Sequence, residues 1–382
     1  MPALDATRTV SRPLREKTPP LVGRVGSLDV ARGSFMIVST GFAGVVLDRP
    51  EWLNHARWLG LTVYDFIFPL FVTLSGIGLA FAYRRSVSVA VTARRVVVLL
   101  VVGLVYNALM AGVFDPATLR YTGTLQAYAV LVLVSALLHV RFKTSGAWAV
   151  ITLLLGLVYT VVLLGYARSC PGAALTPECN PSLALDSWLF GPHMYSGGTR
   201  GHDPEGVVAL LGVLTTASAG TTAGHLALDA REHGWSWGLG RLLAWTLALA
   251  VVGAALTQVL EPFKRLWTPP FALMAASLAV LLFAIAYIVI DRPVRNAAVG
   301  RIRSALVWPL QGVGRQSLLV YFGSRLTAAL LQRHGGEVPY AQQWAERLAF
   351  LGGPQVGFAL VFTSAWVALA MLLHAAKIYV HA

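Results

Sequence analysis

Apolar runs of about twenty residues, the length a helix needs to cross a bilayer, recur along the whole of this chain. They lie near 30–48, 63–83, 96–113, 124–140, 146–166, 206–227, 242–260, 270–290, 305–322 and 355–376. Lipid offers no partner to an unpaired backbone N–H or C=O, so each run reads as a spanning helix rather than as an open strand. Only 12% of the 382 residues are charged and 56% are hydrophobic, whereas a soluble domain carries about a quarter charged residues. The sequence therefore predicts an all-α, polytopic membrane protein with about ten transmembrane helices, built as one domain over residues 29–382.

The net charge of +13 is compatible with a nucleic-acid binder, but the placement of the charges argues against one. Lys and Arg cluster in short loops at alternate helix ends, as in Arg84, Arg85, Arg94 and Arg95, then Arg141 and Lys143, then Arg292, Arg301 and Arg303. That is the positive-inside pattern, and it puts both termini in the cytoplasm. The first 28 residues hold Arg8, Arg12, Arg15, Lys17 and Arg24 with Pro13, Pro19 and Pro20. They lack an apolar stretch and a cleavage-like site, so they read as a disordered cytoplasmic tail rather than a signal peptide.

On the opposite face, His55, Trp58 and Asp65 stand at the mouth of the second run. Ionisable groups there are functional candidates because lipid cannot satisfy them. The plainer reading makes His55 and Trp58 interfacial anchors and Asp65 a helix-start residue. Asp115, Arg120, His193, His202, Asp203, Glu205, Gln258, Glu261, Lys264, Arg265 and Trp267 share that face. Histidine can act as a base near neutral pH, carboxylates can orient an imidazole or hold an ammonium, and cationic side chains can hold an anionic group. A solvated loop face explains most of them singly. Cys170 and Cys179 fall in the longest loop of that face, 167–205, with Pro171, Gly172 and Pro177 between them. A disulfide suits an oxidising compartment, with two free thiols as the alternative. A metal pair is disfavoured because no Cys-x-x-Cys spacing or paired histidine accompanies the cysteines, and no metal is expected.

Six segments carry a resemblance, in order along residues 25 to 375. They are Ser27-Leu28-Asp29-Val30-Ala31-Arg32-Gly33, the stretch from His55 through Trp58, Gly60, Thr62 and Asp65 to Phe71, and Gly123-Thr124-Leu125-Gln126. Then come His193-Met194-Tyr195 with Asp203-Pro204-Glu205-Gly206, Lys264-Arg265-Leu266-Trp267-Thr268, and Gly314-Arg315-Gln316-Ser317. Together they resemble the heparan-α-glucosaminide N-acetyltransferase family. The resemblance implies transfer of an acetyl or other acyl group from cytoplasmic acetyl-CoA to an amino sugar or cell-envelope glycan on the far side. It makes His55 the catalytic histidine, as base or as acyl-carrying nucleophile, with Asp65 as its orienter. Arg32, Trp58 and Gln126 become candidates to hold the donor. His193, Asp203, Glu205, Lys264, Arg265 and Trp267 become candidates to hold the acceptor. Three positions depart from the family pattern: Ala43 replaces an asparagine, Ala127 an arginine and Gln316 an asparagine. The expected address is the plasma membrane of a bacterium, with the bilayer and a glycan acceptor as partners, no nucleic acid, and a homodimer as one assembly the chain could form. A transporter or flippase of a glycan or lipid precursor, or a non-catalytic relative, are the other readings. The absence of an internal repeat weighs against a transporter.

Overall fold

The computed structural model describes residues 26–380 apart from 48, 113, 293–295 and 334–336. Residues 1–25 of the basic tail lie outside the described residues. Gly26–Leu28, assigned to that tail, instead open the first helix, α1 (Gly26–Ala43).

Among the described residues the chain is helical, with one isolated bridge between Thr176 and Cys179 and no strand. After α1 come α2 (Ile67–Tyr83), α3 (Val89–Ala111), α4 (Thr124–Arg141), α5 (Ser145–Ala167) and the short α6 (Pro181–Phe190). The second half holds α7 (Val207–His233), α8 (Trp235–Leu256), α9 (Pro269–Ala286), α10 (Ala297–Arg315), α11 (Ser317–Leu331), α12 (Tyr340–Arg347) and α13 (Pro354–Ala375). Among the described residues eight segments are long and apolar enough to cross a membrane: Val63–Tyr83, α3, α4, α5, α7, α8, Pro269–Asp291 and α13. The protein is thus a polytopic helical membrane protein.

The two remaining runs differ from expectation in instructive ways. Helix α1 is long enough, but it carries Asp29 and Arg32. The run at 305–322 is not one helix; it breaks at Gln316 between α10 and α11. The break has polar causes. Arg315 Nε donates to Asp29 at 3.1 Å, and the Gln316 amide bonds the backbone of Ile378 and Val380. These partners all sit at one end of the bundle, so the chain turns there and then climbs beside α1 as α11. Arg325, three residues past the predicted run 305–322, consequently lies inside α11.

Two polar ends can be told apart by their contacts. At one, Arg84 pairs with Glu232, Ser145 bonds Asp229, and Asp29 meets Arg315. We call this the basic end. At the other, the loops after α1, α3, α5 and α8 converge, and His55 is among them.

The centre is made by α2 and α7. Helix α7 runs Thr215-Thr216-Ala217-Ser218-Ala219-Gly220-Thr221-Thr222-Ala223-Gly224. In lipid, small residues let helix backbones approach closely, and hydroxyls can be satisfied within the helix. Thr215, Thr216, Thr221 and Thr222 each donate to the carbonyl four residues back, at 2.8–3.0 Å. A Cβ on Gly220 would stand 2.0 Å from the Thr73 carbonyl oxygen, so only glycine permits this crossing. Gly220→Ala is expected to cost more than about 3 kcal/mol, because backbone cannot move aside as a side chain can. Gly146→Ala, whose Cβ would meet nothing within 4 Å, is the control. Equal thermal midpoints in detergent for the two variants would refute the close-packing account.

Candidate active site

The site is built on a short loop between α1 and α2. Gly60 takes φ +83°, which a side chain would oppose, and lets the chain double back so that His55 meets the start of the next helix. There Thr62 and Asp65 form a capping box on the 3-10 turn Val63–Phe66. Asp65 therefore does two things. Its Oδ2 accepts from the backbone N–H of Thr62 at 2.9 Å and of Ala56 at 3.3 Å, and its Oδ1 lies 2.6 Å from His55 Nδ1. Surrounded by donors, the carboxylate holds the imidazole with the proton on Nδ1, and the Nε2 lone pair is left to act as a base. Asp65 thus occupies the helix-start position expected of it and also contacts His55.

The imidazole side chain is 37% exposed, while Asp65 is fully covered. Its pKa lies below the ordinary histidine value: burial in the mouth lowers it, and Lys264 and Arg265 lower it further against the opposing effect of the hydrogen bond it donates to Asp65. At neutral pH it is thus the uncharged base. Lys264 is buried, and its charge also holds Glu205 below the usual carboxylate range, as does Arg120. Lys264→Met should therefore raise the His55 pKa and move the acid limb of a pH–rate profile to higher pH; a limb that stays put or moves down would exclude this electrostatic role.

The neighbouring candidates divide by what they touch. Arg265 Nε donates to the Ala56 carbonyl at 3.0 Å and so holds the His55 loop. Trp58 donates to the Leu175 carbonyl at 2.9 Å, inside the turn closed by the Cys170–Cys179 disulfide. The disulfide forms as expected, and its loop buttresses the His55 loop. Asp203 binds Arg120 at 2.7 Å and Thr122 at 2.5 Å and accepts from the Tyr195 N–H, while Glu205 binds Arg120 at 2.8 Å. His193 stacks on Tyr121 with ring centroids 4.0 Å apart and bonds the Leu119 carbonyl. Asp203 and His193 thus knit loops together. Burial drives His202 down to about 4, so it stays neutral beside Trp58. Trp267 is a core residue: its indole is fully buried against Phe68 and Phe271 and donates to Thr216 at 2.9 Å.

A cavity of about 340 Å³ lies between α1, α2, α3, α4 and the α10–α11 junction. Arg32, Arg95 and Arg315 line it, as do apolar and aromatic groups including Met36, Phe68, Phe71 and Tyr321. Arg32 is the one donor-binding candidate found there. Gln126 points the other way: Thr124, Tyr128 and Val132 line the cavity on α4, while the Gln126 amide is pressed against Gly103 of α3 with neither polar atom bonded. Trp58 belongs to the histidine end. Sequence reasoning missed Arg95 and Tyr321 here, and also Tyr64, whose ring lies 4.7 Å from that of His55. An arginine inside the apolar stretch 317–331 was the available signal for Arg325.

A helical membrane protein with a histidine–carboxylate pair at one end and a cation-lined cavity among its helices is the class that fold and site define. Residues 24–173 match the family model described as heparan-alpha-glucosaminide N-acetyltransferase, catalytic. The chain is 25% identical to the Homo sapiens heparan-alpha-glucosaminide N-acetyltransferase over 93% of its own length and 59% of that relative's. The Mus musculus protein of the same name is 23% identical, with 93% and 60% covered. The chain thus spans about three fifths of the length of these curated relatives. Over residues 24–173 it is similar to the heparan-α-glucosaminide N-acetyltransferase family.

Proposed function

We propose that this protein is a transmembrane acyltransferase that takes an acyl group, acetyl in the simplest case, from acyl-CoA entering at the basic end. It passes the group to the amine of an amino sugar or cell-envelope glycan at the histidine end. The basic end is cytoplasmic in this reading, with both termini on that side, as the distribution of arginines favours. The observation that carries the proposal is the pairing of a preorganised histidine base with a cavity whose residues suit the donor. Arg32, Arg95 and Arg315 fit phosphate groups, and the aromatic and aliphatic walls fit a pantetheine arm.

Acyl-CoA supplies the activated carbonyl. The chain's own groups do the rest. An amino sugar arrives as an ammonium and must lose a proton before its nitrogen can attack. His55 Nε2 takes that proton, and Asp65 steadies the imidazolium that results. Nε2 gives that proton up to water at the exposed mouth and takes the second one from the nitrogen as the nitrogen–carbon bond forms; the carbon–sulfur bond then breaks and this second proton passes from Nε2 to the departing thiolate. In this reading Lys264 and Glu205, whose charges act at the same mouth, meet charged groups of the acceptor.

Purified protein incubated with labelled acetyl-CoA and a panel of amino sugars should release free thiol and yield an acylated sugar. Thiol release without acylated sugar would point to hydrolysis instead. Neither product, with label or sugar crossing a vesicle membrane, would favour the transporter reading.

A further inference from the structure

Arg325 is an arginine in a short apolar helix that the site described so far does not use. It stands on α11 with its Nη1 donating to the Tyr64 hydroxyl and its Nη2 donating to Ser39 Oγ at 3.4 Å. The guanidinium lies over the rings of Tyr64 and Tyr321, 5.1 and 5.2 Å from their centroids. Its Nε is buried and makes no hydrogen bond, and among the described residues it forms no ion pair. A guanidinium with a spare donor and no counter-ion, in a helix packed among spanning segments, is costly to keep.

Its position suggests what the cost serves. Tyr321, one turn earlier on α11, lines the cavity. Tyr64, its hydrogen-bond partner, packs on His55 at 4.7 Å. Arg325 therefore lies between the cavity and the base.

We infer that Arg325 is a further catalytic residue, its guanidinium holding the acyl carbonyl oxygen where the acyl group passes from the cavity to the mouth beside His55; the inference rests on the acyl-transfer reading. While the amine nitrogen bonds to the carbonyl carbon, the carbonyl π pair moves onto oxygen next to the guanidinium. It returns as the carbon–sulfur bond breaks, and sulfur leaves with the bonding pair and takes the proton from His55. A fixed cation aimed at that oxygen stabilises the charge as it develops.

Arg325→Met and Arg325→Lys test this. Arg325→Met should lower kcat by about 10²–10³, the usual loss on removing one such donor, while affinity for CoA itself, measured by calorimetry, is unchanged. Arg325→Lys should recover part of the rate. The infrared stretch of carbonyl-labelled acetyl-CoA should lie lower on the wild-type protein than on Arg325→Met, a readout that a purely structural role would not move. The thermal midpoint of Arg325→Met should equal or exceed that of wild type, since replacing an unpaired buried charge with an apolar chain is neutral or stabilising. A wild type that transfers, beside an Arg325→Met whose kcat stays within about threefold, too little for a lost oxyanion donor, would overturn the inference and leave the acyltransferase reading standing. So would identical carbonyl frequencies. A wild type that neither binds acetyl-CoA nor transfers would remove both.

Discussion

His55→Ala is expected to lower acyl transfer by about 10²–10⁴, the range for loss of a general base, without loss of donor binding. The imidazole stands at the mouth, held by Asp65 at 2.6 Å, whereas the cationic groups lining the cavity come from α1, α3 and α10. Removing it should therefore leave affinity for CoA intact. The side chain is 37% exposed, so its truncation should not threaten the fold. Turnover and CoA binding need to be measured together on wild type and variant. If the variant turns over within about threefold of wild type, less than any general base contributes, His55 is not the base. A loss larger than the general-base range would instead indicate that His55 carries the acyl group, a route that radiolabel retained on denatured wild-type protein would reveal.

Asp65→Asn should be nearly as damaging, through the tautomer rather than through contact with substrate. An amide facing Nδ1 can present its NH₂ there, which favours the proton on Nε2 and blocks the lone pair that the reaction needs. In serine-protease triads the same exchange costs about 10⁴ in kcat, and a loss on the order of 10² or more is expected here. The pH profile separates this from simple misfolding. The Asp65 hydrogen bond and charge raise the His55 pKa, so their loss should shift the acid limb of the residual activity to lower pH. Lys264→Met should shift it the opposite way. An Asp65→Asn variant with unchanged kcat and an unmoved limb would reduce Asp65 to its capping role at Thr62.

The pair was legible in the sequence because its members are ten residues apart and share one loop. Other assignments failed for a common reason. A tryptophan at the mouth of a span resembles an interfacial anchor or a binding platform, yet Trp267 takes φ +50° and points into the core between α2, α7 and α9. Gln126 sits beside a motif glycine, but which face of α4 meets the cavity is set by where α3 packs. The run at 305–322 reads as one apolar helix until Asp29, some three hundred positions earlier in the chain, claims Arg315.

By itself the sequence determined the class and the local chemistry. Spanning helices are recognisable one by one because each must satisfy its own backbone in lipid, a requirement that twenty consecutive residues either meet or do not. The His55–Asp65 loop is similarly self-contained, its turn glycine, capping box and imidazole lying within eleven residues, 55–65. Only the tertiary structure decided where the cations converge and which of them lack partners. The cavity takes Arg32 from α1, Arg95 from α3 and Arg315 from α10, and the junction takes Tyr64 from the start of the second span and Arg325 from α11. Helix rotation and depth are set by close contacts such as Gly220 on Thr73 and Gly33 on Leu310. Hydropathy carries no record of those contacts, because a lipid-facing and a helix-facing residue are equally apolar.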